Sequence, residues 1–343
     1  MKKIYIFFFS GTGNAKRIAL WISQFAVARN IECHLLNISN TDVHNLKAPD
    51  QNSLIIFISP VHGFNYPKIT IDFIRHFPKG TNKVVLMNTR AGMKIGNWVT
   101  PGLSGITFFL SGFWLRLKGY TITGEIPFDM PSNWLSLHPA LNNKTVLFIH
   151  KKMYEKTLRC FRNLEEGKPL FLSRKELLQN LLVSPVSILY FLVGRFVIAK
   201  TFYASPACDH CGICIKECPV SAIKLINGHP FWTIHCESCM HCMNHCPSNA
   251  IQTSHGLVAI TTVFYLLVTG VLYKYLLHEM IASSVLRFLL SNLLFFVLLL
   301  VLYRIQHFAL KNKLLAGIIQ HTSLTFYKWW GRYKSVPDQQ WQK

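Results

Sequence analysis

Residues 208–219 read Cys-Asp-His-Cys-Gly-Ile-Cys-Ile-Lys-Glu-Cys-Pro, and residues 236–247 read Cys-Glu-Ser-Cys-Met-His-Cys-Met-Asn-His-Cys-Pro. Both follow C-x2-C-x2-C-x3-C-P. The second run is the first displaced by 28 residues, and Ala222-Ile223 recurs as Ala250-Ile251. Three thiolates at three-residue spacing wrap one face of an iron–sulfur cubane, and a distant cysteine completes it. Structural zinc more often takes its four ligands as two pairs. Disulfides need an oxidising compartment, and the amino-terminal residues do not read as a secretory signal. Eight of the ten cysteines lie in these runs; Cys33 and Cys160 stand apart and read as structural thiols.

Over residues 204–254 these runs resemble bacterial two-cluster ferredoxins. The resemblance implies two [4Fe-4S] clusters whose fourth ligands are exchanged between the runs. The first would then take Cys208, Cys211, Cys214 and Cys246, and the second Cys236, Cys239, Cys242 and Cys218. It also implies reducing, cytoplasmic surroundings.

The amino-terminal half reads differently. Lys3-Ile4-Tyr5-Ile6-Phe7-Phe8-Phe9 is an apolar, β-rich run that fits a buried parallel strand. Ser10-Gly11-Thr12-Gly13-Asn14-Ala15 follows. Ile18, Trp21, Ile22 and Phe25 then mark a helix over about 14–28. A strand, a loop rich in hydroxyls and glycine, and a helix make a phosphate cradle, because backbone N–H groups and the helix N-terminus favour an anion. The loop lacks G-x4-G-K-[ST], and Lys16 stands where a dinucleotide fingerprint needs its third glycine.

The loop resembles the FMN phosphate loop of flavodoxins through Ser10, Thr12, Gly13 and Asn14, with Ala15 replacing a hydroxyl residue. This implies an α/β flavodoxin-like, doubly wound parallel sheet of order 2-1-3-4-5, with FMN at the switch point. Pro60, Val61, His62, Gly63 and Phe64 follow the strand-like residues 54–58, and Asn88, Thr89, Arg90, Ala91 and Gly92 follow 83–87; both segments are expected as FMN-binding loops. Helices are expected at about 68–77, 101–117 and 144–165. Residues 117–120 and 130–134 also resemble flavodoxin-type domains fused to ferredoxins, so the likeness covers 1–170. Phe64, Tyr66 and Trp98 are candidates to lie against the isoalloxazine, and His62 to touch the flavin. Arg90 is a candidate to stabilise a reduced, anionic ring or to bind phosphate. No general-base pair, triad or metalloprotease motif is visible.

Hydrophobic residues make up 50% and charged residues 15% of the 343, yet Lys+Arg number 36 against 15 Asp+Glu, a formal charge of +21. This excludes an acidic disordered chain and leaves nucleic acid or a membrane surface. Residues 256–273 and 288–303 are uncharged runs of 18 and 16, close to the ~20 residues that cross a bilayer. They predict a transmembrane helical hairpin over 256–304. From Arg304 onward the tail holds seven Lys/Arg and one acid; the positive-inside rule places this basic amphipathic tail, 305–343, in the cytoplasm with the amino terminus and the redox domains. Trp329 and Trp330 read as an interfacial belt. A third uncharged run, 177–194, broken at Ser184-Pro185, reads as a re-entrant, interfacial or packed helix in the linker 171–203.

The cysteine-rich core is not basic. Residues 144–200 are, with eleven Lys/Arg and four acids. Basic residues beside apolar runs fit a membrane surface, and no nucleic-acid-binding module is visible. The resulting expectation resembles a flavodoxin–ferredoxin fusion with an added membrane hairpin. Such a chain would carry electrons between FMN and two [4Fe-4S] clusters, to or from a low-potential protein or a membrane quinone. A flavin-dependent reductase of a small substrate is the second reading, and a redox sensor or assembly factor the third.

Overall fold

A computed structural model describes residues 2–272 and 283–331. Its first part is a parallel sheet. Strand β1 (Lys3–Phe8) lies between β2 (Glu32–Asn37) and β3 (Leu54–Pro60); β4 (Lys83–Ile95) and β6 (Thr121–Pro131) follow, and the short β7 (Leu170–Phe171) forms the edge. The order is β2-β1-β3-β4-β6-β7, with β5 (Trp98–Thr100) folded back antiparallel on β4. Its first five positions reproduce the doubly wound pattern expected; the hairpin strand β5 and the added edge β7 depart from it.

Four helices cover the sheet: α1 (Asn14–Val27), α2 (Lys68–His76), α3 (Thr107–Leu117) and α4 (Asn143–Glu165). Ile18, Trp21, Ile22 and Phe25 are all buried, as their spacing requires, and pack with Ile4, Ile6, Ile56 and residues of α4 on one face. Phe7, Phe57, Phe73 and Phe77 stack on the other. Residues 88–92, expected as a loop, instead continue β4, because β6 pairs with it out to Gly92↔Pro131. Helix α3 starts at Thr107 rather than near 101. Ahead of it, the Gly102 N–H donates to Asp129 Oδ1 at 2.8 Å.

The cysteine-rich segment repeats in its backbone as well as in its sequence. His210, Gly212 and Ser221 have positive φ, and so do Ser238, Met240 and Asn249, each 28 residues later. Each run enters a short helix, Ile213–Lys216 or His241–His245, and then a strand, β9 (Ile223–Ile226) or β11 (Ile251–Thr253). These strands pair antiparallel with β10 (His229–Trp232) and β8 (Phe202–Ala204) respectively. Leu135 and Val146 of the first part pack into the same core as Trp232, Cys236 and Ile251, so the two parts share a buried interface.

Between them, residues 172–199 form two helical arms bent by 76° at Val183, with a π-helical turn at Tyr190–Gly194. The helices His255–Leu272 and Ser284–Ala309 pack on each other and on Phe231. The second exceeds the expected 288–303 at both ends. Ser283 caps it, its Oγ accepting from the Leu286 N–H. Residues 273–282, within the expected hairpin, and the tail from Arg332 lie outside the described residues. The described part of the tail is docked rather than free: the Trp330 indole donates to the Leu135 carbonyl at 2.8 Å and is buried, so only Trp329 has the exposure a belt residue needs.

Arg17 Nη1, on α1, lies 3.4 Å from both ring nitrogens of His150 on α4, and both residues are buried. Burial and the neighbouring guanidinium pull the imidazole down to about 2. The folded state therefore binds fewer protons here than the unfolded chain does below its ordinary value near 6.5, so this stability is present above pH 6.5 and is lost as pH falls. We expect unfolding free energy to fall between pH 7.5 and 5, by up to about 1.4 kcal/mol per pH unit from this ring, and thermal midpoints to fall with it. The His150→Gln variant should show a shallower drop over the same range; an identical slope would rule out this origin.

Candidate functional site

The loop after β1 and the ends of β3, β4 and β6 meet at a cleft at the carboxyl ends of the strands. Ser10, Thr12, Asn14, Ala15, Pro60, Val61, His62, Thr89, Arg90 and Ala91 line it. Gly13, Gly63, Phe64, Asn88 and Gly92 adjoin these residues without lining the cleft. Tyr66 is buried in the core with its hydroxyl donating to the Met87 carbonyl at 2.6 Å, and Trp98 projects into solvent, so neither is at the cleft.

The cleft is suited to a phosphate at one end. Gly13 has φ 96°, its N–H donates to Ser10 Oγ at 3.1 Å, and α1 begins there without a side-chain cap or a first-turn acid. The positive end of the helix dipole is thus directed at the lining residues Thr12, Asn14 and Ala15. At the other end Val61, Trp134 and Tyr190 supply apolar surface, and the rings of Trp134 and Tyr190 meet edge-on at 5.9 Å. Nδ1 of His62 and Nε1 of Trp134 are buried without a hydrogen-bond partner. Burial pulls His62 down to about 4, so the ring is neutral at pH 7.

Arg90 is committed elsewhere. Its Nε donates to Asp129 at 2.6 Å, its Nη2 to Glu176 at 2.7 Å, and its Nη1 to Glu176 and Ser104. It clasps the linker to the sheet and is already neutralised by two carboxylates.

The far wall comes from residues that the amino-terminal motif could not reveal. Ser238, Cys239 and Met240 of the second cysteine run and Tyr190 of the linker close the cleft. A Cβ on Gly11 would stand 2.5 Å from the Cys239 carbonyl oxygen, so only glycine permits this approach. His241 Nδ1 donates to the Gly11 carbonyl at 2.6 Å.

The cysteines fall into two rings. Cys208, Cys211, Cys214 and Cys246 line one cavity, and Cys218, Cys236, Cys239 and Cys242 line another. Each ring therefore combines three cysteines of one run with the last of the other. Among the described residues no three ligand side chains converge closely enough for a single metal ion. Burial pushes Cys236 up to about 12 and Cys214 to about 11; a bound cation is what would hold such thiols ionised. The repeated alanines also gain a purpose, since the Ala222 N–H donates to Cys218 Sγ at 3.3 Å and the Ala250 N–H to Cys246 Sγ at 3.2 Å. Buried Lys200 donates to the Trp232 carbonyl at 2.5 Å, adding a positive group near Cys236.

Residues 207–251 match the family model of the 4Fe-4S dicluster domain. No curated protein matches the chain significantly. Among solved structures, the chain is similar to the Fusobacterium nucleatum flavodoxin bound to flavin mononucleotide, at 11% identity over 49% of this chain and 99% of that one, TM-score 0.31. The two-electron reduced Megasphaera elsdenii flavodoxin is similar at 18% identity over 44% and 98%, TM-score 0.29. Rubredoxin oxygen:oxidoreductase from Desulfovibrio gigas is similar at 12% identity over 47% of this chain, TM-score 0.29; the match spans 36% of that protein's own length.

Replacing Arg90 by methionine leaves the Glu176 carboxylate without its guanidinium and Asp129 with only Lys156, at 3.9 Å, as a cationic neighbour. The expected loss is about 3–5 kcal/mol of unfolding free energy, read by denaturant titration. A change below about 1 kcal/mol would mean that the clasp is not a structural element.

Proposed function

We propose that the chain is a membrane-anchored electron-transfer protein holding FMN in the cleft and two [4Fe-4S] clusters in the two cysteine rings. The carrying observation is the placement of the rings. Cys239 of one ring is itself part of the cleft wall, whereas the other ring includes the exposed Cys211. A cleft closed by the cluster segment and an opposite, accessible ring are what a carrier needs to take up electrons at one end and deliver them at the other.

The residues present fit these groups. Ser10, Thr12 and the α1 N-terminus would hold the phosphate, and Val61, His62, Trp134 and Tyr190 would surround the ring system. When bound, the flavin exchanges electrons singly or in pairs, while each cluster passes one. The chain's own part is to fix separations: Gly11, His241 and the Glu237 carboxylate hold the second cysteine run against the cleft, so encounter between centres is intramolecular. The thiolate rings receive N–H donors from Ala222 and Ala250, which lower the charge on sulfur.

Membrane anchoring rests on the helix Ser284–Ala309, the one described helix that alone is long and apolar enough to cross a bilayer. The shorter apolar helix His255–Leu272 lies beside it, and the positive-inside rule then keeps both termini in the cytoplasm. A low-potential protein or a membrane quinone is the proposed partner. The second reading, a reductase of a small substrate, draws on Pro131, Ser132 and Asn133, which also border the cleft.

Anaerobically purified protein should contain about eight irons, as many labile sulfides, and one FMN; zinc without labile sulfide would refute the cluster assignment. Cys246→Ala should disable the ring of Cys208, Cys211 and Cys214 and leave the other intact, as read by the cluster spectra, and the opposite pattern contradicts the exchanged ligands. Anaerobic stopped-flow with the flavin and cluster bands followed separately decides between carrier and reductase: a carrier oxidises only on adding a protein or quinone acceptor, a reductase on adding its small substrate.

A further inference from the structure

The linker reverses the usual polarity of a surface helix. Three of its polar side chains point into the molecule, while Gln179 is exposed. Asn180 Oδ1 accepts from the Gly105 N–H at 3.0 Å, Ser187 Oγ donates to the Phe64 carbonyl at 2.9 Å, and Glu176 holds Arg90. Its leucines point out: Leu177, Leu178, Leu181, Leu182, Leu189 and Leu192 are each 60–72% exposed. A helix docked on a water-soluble domain shows the opposite arrangement, apolar side in and polar side out. Polar-in, apolar-out is the arrangement for which the outside solvent is hydrocarbon.

Three further observations single out lipid as the occupant of this face. Residues 177–194 contain no charged side chain, while Arg174 and Lys175 at its entry are exposed, where anionic headgroups would meet them. The two arms bend by 76° at Val183, so the leucine-bearing residues form a wedge with its tip at Leu181 and Leu182 rather than a through-span. Next to it, α3, which begins just after Gly105, leaves Phe109 and Phe113 exposed.

We propose that the bent hairpin 177–192 inserts into one leaflet of the bilayer as a re-entrant wedge, so that one wall of the cleft is a membrane-held element. This rests on the reading of the chain as a membrane protein and adds a second contact with lipid, made by the linker. The link to the cleft is direct. Tyr190, which lines the cleft, belongs to the wedge and lies against Gly63, which has φ +53° and no room for a side chain. The wedge would hold the flavodoxin-like domain down on the bilayer, where a tether through Ser284–Ala309 alone would let it stand away.

The test uses the full chain in phosphatidylcholine vesicles in which a fraction of the lipid carries a diazirine at the end of one acyl chain. After illumination, peptide mass spectrometry locates the lipid adducts. Adducts are expected within both 284–309 and 177–192. The paired change Leu181→Glu, Leu182→Glu should lower those in 177–192 by more than about tenfold, since carboxylates are expelled from hydrocarbon, and leave those in 284–309 unchanged. Adducts confined to 284–309 would overturn the wedge while leaving the anchor standing, and would mean that water or another protein covers the leucines. Adducts in neither segment would overturn the membrane reading itself. Unchanged hairpin adducts in the double variant would show that labelling there does not report insertion, and the wedge would fall.

Discussion

A single carboxylate joins three parts of the molecule. Glu237 lies between two cysteines of the second run, buried. Its Oε2 accepts from the Lys68 N–H at 3.0 Å, at the start of α2, and its Oε1 faces Arg195 of the linker at 3.4 Å. Burial pushes the carboxyl up, while Arg195 and the helix N-terminus favour its charged form. A buried charge is tolerated only when its partners are in place. Linker, sheet domain and cysteine segment are therefore positioned together, and the cleft exists because they are. Its walls come from all three, and removing any one opens it.

The same logic explains how much of the site could be read from the residues. Residues of the amino-terminal cradle follow one another in the chain, so the strand, the glycine loop and the helical spacing of Ile18, Trp21, Ile22 and Phe25 made them visible. The cysteine rings were legible too, because cubane geometry leaves its mark on spacing. The opposite wall was not legible. Tyr190, Ser238, Cys239 and Met240 lie more than 170 positions from Ser10, and no local pattern marks a residue whose role is to meet a distant loop. The nearest signal was compositional: Asn180 and Ser187 interrupt an apolar run at positions where a simple span would have no use for them.

Local expectations failed where pairing overrode propensity. Asn88-Thr89-Arg90-Ala91-Gly92 has the composition of a turn, yet it is strand, because β6 extends to Pro131 and offers a partner for each residue. That extension carries Arg90 into contact with Asp129 one strand away, and so fixes its role. An arginine at a loop end would have been available to an anionic ring; one inside a paired strand, beside Asp129 and beneath Glu176, serves the fold. Tyr66 is a parallel case: its hydroxyl is consumed by the Met87 carbonyl inside the core.

In the proposed anchoring, the length of the apolar helix would connect the bilayer to the cysteine rings. Twenty-six residues from Ser284 to Ala309 extend about 39 Å at 1.5 Å per residue, and a hydrocarbon core takes about 30 Å. About six residues are left over, and the carboxy-terminal end of the helix is where the polar docking groups are found. Gln306 accepts from Ser254 Oγ at 2.6 Å, the Tyr303 hydroxyl accepts from the Trp232 N–H at 3.2 Å, and Arg304 lies over the Phe231 ring. Trp232 in turn lines the cavity of the ring formed by Cys218, Cys236, Cys239 and Cys242. With the helix so anchored, its carboxy-terminal end would act as a rigid bracket rather than a tether, because helix and β10 are joined by a buried hydrogen bond. A span anchored in lipid would fix the height of that ring above the bilayer to within a side chain's length, and the cleft, bound to the ring through Gly11 and Glu237, would be fixed with it.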